Sequence, residues 1–219
     1  MSALAELTAA IEAEARRAPF DVCRDTYREA GRDPAVPIVC VGALDAPFCA
    51  LGRELGRDEV LQGEPLIGAS GRRFRRAFHD AVVAPVAGPA PKSERRFEAI
   101  LPHVLLTNLV PFRPVDNVAY DRATVDRFRP FVERLLADHW RGRTVLALGQ
   151  HALTWFAPYA APGAIDAHWA DADRRFVATL DVTIRGRRLV IAPVPHPSPL
   201  SPFKKEFGVR LAAHLNARA

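Results

Sequence analysis

Three short runs of apolar residues, Pro37 to Gly42 (PIVCVG), Val104 to Leu109 (VLLTNL) and Thr144 to Gly149 (TVLALG), constrain this chain more than any other feature. Such a run has little alternation and so no wet face, as expected of a strand in a parallel sheet covered by helices on both sides. A hairpin pattern, Phe176 to Ile184 and Arg188 to Pro193 about Arg185-Gly186-Arg187, offers its second arm as a fourth core strand. Helical spacing fills the intervals. Leu4, Leu7, Ile11 and Ala15 mark a helix over 2–17, and Phe74, Ala77, Phe78 and Ala81 one that starts at Ser70 as N-cap. Val125, Phe128, Val132, Leu135 and Leu136 mark 124–140, a short helix follows Gly149, and Phe207, Leu211 and Leu215 mark the last, over 204–217. Alternation of strand and helix predicts an α/β fold, a three-layer α/β/α arrangement with a central, mainly parallel four-stranded sheet. The 219 residues predict one domain, 1–219, with the helix over 2–17 packed on it. The glycine-rich stretch from Gly42 to about Ser70 reads as a long loop of functional kind, with a helical turn near 50–55.

Composition excludes several classes. No apolar run approaches the roughly 18 residues of a membrane span, and MSALAELTAAIEAEARRAPF lacks the cationic start and apolar stretch of an export signal, so a cytoplasmic monomer is expected. Cys23, Cys40 and Cys49 are too few for an all-cysteine iron–sulfur cluster and unsuited to a disulfide framework; no metal or cofactor is expected. The net charge of +5 suits a phosphate-rich partner.

Loops leave the predicted strand ends after Gly42, Leu109 and Pro193, and in open α/β sheets ligands bind at that edge. The last loop, Pro195 to Ser201, is stiff: its prolines leave too few N–H groups and too little freedom for helix or central strand. Taken alone, such a stretch is equally a proline-rich surface turn.

In company it is more. HPSPLS at 196–201 resembles the His-Pro-Ser-Pro-Leu-Ser signature of the uracil-DNA glycosylase superfamily. QGEPLIGASG at 62–71 is similar to the Gly-x-Pro-Phe-x-Gly-x-x-Gly segment of that superfamily's iron–sulfur branch, and LLTNLVPFRP at 105–114 to its Thr-Asn-x-Val-x-x-Arg-Pro. The three occur in the family's order, and the likeness spans roughly residues 37–215. The cysteines of the iron–sulfur branch are missing, which places the chain outside it.

The resemblance implies an extruded base held in a pocket. Asn108 would read the base, its amide offering a donor and an acceptor to adjacent C=O and N–H groups of uracil; the alternative is an asparagine capping a turn. His196 would donate to uracil O2, best as a neutral imidazole, unless it is simply a packed loop histidine. Gly42, Phe48 and Leu66 are assigned to the uracil pocket. Leu66 stands where the family has phenylalanine and lacks a π-face, and Phe48 is the alternative ring, either stacking or blocking a thymine methyl. For the water-activating carboxylate Asp45 is chosen, in Gly42-Ala43-Leu44-Asp45-Ala46-Pro47-Phe48, although the family patterns are Gly-Gln-Asp-Pro-Tyr and Gly-Glu-x-Pro-Gly; Asp116 and Glu64 are held in reserve. Ser70, Ser198, Pro199, Leu200, Ser201, Lys204 and Lys205 are assigned to DNA, with Leu200 as the wedge that fills the vacated stack. The arginines that follow Ser70 are as readily a solvated helix face as a phosphate site.

These features together predict a monofunctional glycosylase that hydrolyses the N-glycosidic bond of uracil in DNA, single- or double-stranded, and leaves an abasic site. The alternatives are a binding protein of the same fold that has lost hydrolysis, and a hydrolase of nucleotides outside DNA.

Overall fold

The computed structural model describes residues 3–217. In chain order the elements are α1 (Ala3–Arg17), α2 (Arg24–Glu29), β1 (Cys40–Val41), β2 (Phe48–Glu54), α3 (Arg57–Gln62), α4 (Ala69–Phe78), α5 (Ala84–Ala87), β3 (Val104–Val110), α6 (Arg122–Arg134), β4 (Thr144–Leu148), α7 (Gln150–Thr154), α8 (Ala164–Ala170), β5 (Leu180–Ile184), β6 (Arg187–Val194) and α9 (Phe207–Asn216). Of the helix predicted over 2–17, Ser2 lies outside the described residues and the remainder forms α1.

The strands make one sheet in the order β1-β3-β2-β4-β6-β5. Its four central strands, β3, β2, β4 and β6, are parallel, and the two edges are antiparallel. Both faces are covered. Leu7 and Ile11 of α1 pack with Tyr27, Phe128 and Trp140 on one side, while Phe74 and Phe78 of α4 pack with Phe207 and Leu211 of α9 on the other. The β5–β6 turn is as short as the sequence implies: Arg185 and Gly186 both have positive φ, 49° and 80°, which suits a two-residue hairpin. Among the described residues no helix is long and apolar enough to cross a membrane.

The first core strand is not where the apolar pattern puts it. Of Pro37 to Gly42 only Cys40 and Val41 pair, antiparallel to β3 at the edge, and the core strand is β2, in the stretch expected to be loop. Gly52 is the residue that disguises it. A Cβ there would sit 2.3 Å from Asn108 Oδ1, so this strand carries a glycine to admit the neighbouring side chain. The N-cap expectation also shifts: α4 starts after Gly68, and Ser70 lies within its first turn.

Candidate functional site

With β2 as the core strand, the site lies at its far end, away from Gly42 and Asp45. Parallel strands place all their C-terminal ends on one edge, and the ends of β2, β3, β4 and β6 there enclose a cavity of about 790 Å³, within the usual range for small-molecule sites. Leu66, Ser70, Asn108, His196, Ser198, Leu200 and Ser201 line it. Gly42, Asp45 and Phe48 do not. Phe48 and Gly42 lie beside Val104, the first residue of β3: Phe48 pairs with it, and a Cβ on Gly42 would touch its carbonyl at 2.3 Å. Asp45 is exposed in the turn before β2. The seven residues of β2 put roughly 20 Å between that edge and the cavity, so Asp45 cannot activate water there. Phe48 is buried in the core with its ring 6.0 Å from that of Phe78, and neither stacks on a base nor blocks a methyl in the cavity.

The reserve acids are also elsewhere. Glu64 is buried between Arg75, at 2.5 Å, and Arg96, as a structural ion pair. Asp116 sits on a turn with φ 49° and faces a different cleft, beside Pro19 and Asp121. The carboxylates that do reach the cavity come from the last residue of β2, Glu54, and from the start of α3, Asp58 and Glu59, together with the β2 cation Arg53. Gly52-Arg53-Glu54-Leu55-Gly56 has the glycine spacing of Gly-Glu-x-Pro-Gly, with Arg53 in the place of the glutamate and Glu54 one residue later. That spacing is the signal which could have located the loop. Glu59 is spent on structure, since its Oε1 accepts from Gly68 N at 2.9 Å. Asp58 is half-exposed and paired with Arg72 at 3.3 Å. Glu54 is nearly buried, bonded to Arg53 Nε and accepting from Tyr120 N at 3.2 Å. Burial raises its pKa, against the opposing pull of Arg53 and the Tyr120 amide.

Asn108 lies near the C-terminal end of β3, next to Gly52 in register. It is 2% exposed, and neither Oδ1 nor Nδ2 has a hydrogen-bond partner among the described residues. Leaving a buried polar group unpaired costs about 1–3 kcal/mol, which is rarely tolerated without a ligand or a mechanism to explain it. Leu66 approaches the same side of Gly52 as Asn108 does: Leu66 Cδ2 is 3.2 Å from the point where a Gly52 Cβ would be. Leu66 itself has φ 53°, a left-handed backbone that a branched side chain adopts at a cost of about 1–3 kcal/mol.

His196 follows β6. Its Nδ1 accepts from Ser198 N at 3.1 Å, so in the neutral ring Nε2 carries the proton. Burial, helped by the charge of Arg53 and by His151, pushes its pKa down to about 4. Gly149 at the end of β4, with φ 85°, makes room for it; a Cβ there would be 2.9 Å from His196 Cβ. His151, also on the cavity wall, has its pKa lowered by burial and by Arg53.

The loop beyond His196 is self-braced. Ser198 Oγ accepts from Leu200 N at 3.2 Å and Ser201 Oγ from Phe203 N at 3.3 Å, so both hydroxyl oxygens hold turns. Leu200 is left 93% exposed at the tip. Pro199, Lys204 and Lys205 are exposed near it but do not line the cavity. Arg73, from the cluster behind Ser70, binds Pro197 O at 3.5 Å and Lys204 O, and so straps this loop to α4.

No curated protein matches the chain. A family model described as the Uracil DNA glycosylase superfamily matches residues 40–217, which takes in every strand of the sheet and every wall of the cavity. With that match over most of its length, and a site assembled at the carboxyl edge of a parallel sheet, the chain belongs to the uracil-DNA glycosylase superfamily.

Proposed function

We propose that this protein hydrolyses the N-glycosidic bond of uracil in DNA, and that Glu54, Asn108 and His196 are the groups that do it. The observation that carries the proposal is Asn108, whose amide presents an unpaired donor and an unpaired acceptor, both buried, in the wall of a cavity shared with His196. Uracil offers the complementary pair of adjacent C=O and N–H groups on one edge. Cleavage moves the electron pair of the C1′–N1 bond onto the base, where the charge spreads to O2. The Nε2–H of a neutral His196 donates to that oxygen as the charge develops, an electrostatic stabilisation of the kind that often contributes most to rate. On the sugar side Glu54 faces the cation-like C1′ and takes a proton from the water whose oxygen bonds to C1′. Its raised pKa suits a base. The exposed Leu200 fills the gap left in the duplex.

One observation favours a second reading. Glu54 is bonded to Arg53 and to a backbone amide, so its carboxylate is partly committed, and a protein that captures uracil-DNA without hydrolysis fits that arrangement. Purified protein incubated with uracil-containing single-stranded and paired oligonucleotides separates the two. Release of free uracil, reduced by about 10²- to 10³-fold in His196→Ala, Asn108→Ala and Glu54→Gln, is the expected result. Tight, uracil-dependent binding without release supports capture alone, and equal rates in all four proteins overturn the assignment of the site.

A further inference from the structure

Arg75 of α4 is completely buried, yet it does not line the cavity. Its guanidinium donates from Nε to Leu66 O at 2.7 Å, from Nη2 to Pro65 O at 3.0 Å and to Glu64 Oε1 at 2.5 Å, and from Nη1 to Arg96 O at 2.7 Å. Three of these four bonds fall on consecutive residues, 64, 65 and 66, of the turn that carries Leu66. Other contacts lock the same turn. A Cβ on Gly71 would lie 2.0 Å from Leu66 O, so α4 abuts that peptide directly, and Glu59 holds Gly68 N from the far side. A buried cation must be paired and hydrogen-bonded to be tolerated, and here it is committed to one strained residue of the cavity wall.

We propose that Arg75 is a positioning residue for base selection. By fixing the carbonyls of Pro65 and Leu66 it keeps Leu66 in its left-handed backbone, with the side chain on the same side of Gly52 as Asn108, so the wall stands at a set distance from the base-reading amide. Leucine offers no ring to stack on a base, and discrimination against a bulkier base therefore depends on where this wall stands. Lysine cannot replace the fork, because an ammonium is a compact charge without the planar, pre-set donors of a guanidinium. The inference rests on the uracil reading above.

The test compares wild type, Arg75→Lys, Leu66→Gly and the double variant on single-stranded oligonucleotides holding uracil or thymine, with KM, kcat, DNA affinity and thermal unfolding measured for each. Arg75→Lys is expected to raise KM for uracil and to narrow the uracil-to-thymine ratio of kcat/KM by about tenfold, the scale at which one methyl is discriminated by a pocket. Leu66→Gly, which removes the side chain and adopts positive φ freely, is expected to narrow the ratio likewise. Adding Arg75→Lys to it should change the ratio by less than about twofold, since the two act through one group. A lower melting temperature with an unchanged ratio in Arg75→Lys means a purely structural role and overturns the proposal. Should Arg75→Lys not fold, a wild-type ratio in Leu66→Gly overturns it equally. If wild type releases no base, the same ratio is taken from affinities for the two DNAs. A wild type that prefers uracil neither in release nor in binding overturns the uracil reading and this inference together, whereas a preference retained in Arg75→Lys overturns the inference alone.

Discussion

At His196 the protonation state follows from burial, the charge of Arg53 and His151, and the Ser198 amide that occupies Nδ1. A proton on Nδ1 would break that last bond as well as place a cation beside another. The ring therefore stays neutral down to about pH 4, and its contribution to stability, complete above its unfolded value near 6.5, fades as pH falls from there toward 4. In a pH–rate profile of uracil release, kcat/KM should show no break between about pH 6 and 8 from this group. Its acid limb should lie above the ordinary glutamate range, because Glu54, the proposed base, has its pKa raised by burial. An inflection near 6.5 abolished by His196→Gln would mean that the imidazole titrates at its usual value and acts as a cation.

Among the elements, α4 braces the walls of the site through its arginines. Arg72 binds Asp58 and Ile67 O, Arg73 the loop after His196, Arg75 the Leu66 turn, and Arg76 lies over the Phe97 ring at 5.0 Å. The sequence reading, in which these arginines are a solvated face or a phosphate site, misses such bracing because partners 124 and 131 residues away are invisible to local pattern. Loosening the proposed Leu200 wedge should matter most where a duplex must be opened. Leu200→Ala and Arg73→Ala are each expected to slow uracil release from paired DNA by about tenfold more than from single strands, given an unstacking cost of a few kcal/mol; parallel assays on the two substrates check this. Legibility followed the same line between local and distant. Strands β3, β4 and β6 are legible because each holds a continuous, mainly apolar and buried run, and the His196 loop because its prolines admit no regular element. Strand β2 is hidden by Gly52, Arg53 and Glu54, residues present for the cavity rather than for the sheet, and losing it displaced the carboxylate to Asp45. The φ of Leu66 and the burial of Arg75 depend on tertiary contacts that no spacing encodes.

For the molecule as a whole, two cores separated by the sheet let stability and site chemistry be tested apart. Leu7, Ile11 and Ala15 of α1 are buried in the core on one face, and no α1 residue lines the cavity. Leu7→Ala should lower unfolding free energy by about 2–5 kcal/mol while leaving KM for uracil-DNA unchanged; urea denaturation alongside steady-state kinetics tests both halves. The strand order has a further consequence for biosynthesis. Asn108 lies on the second strand of the parallel group to be made and His196 follows the last, and β6 pairs with β4 rather than with β3. On the proposed assignment, a nascent chain completes its amide-bearing wall well before the imidazole arrives, and base release waits until β6 has docked.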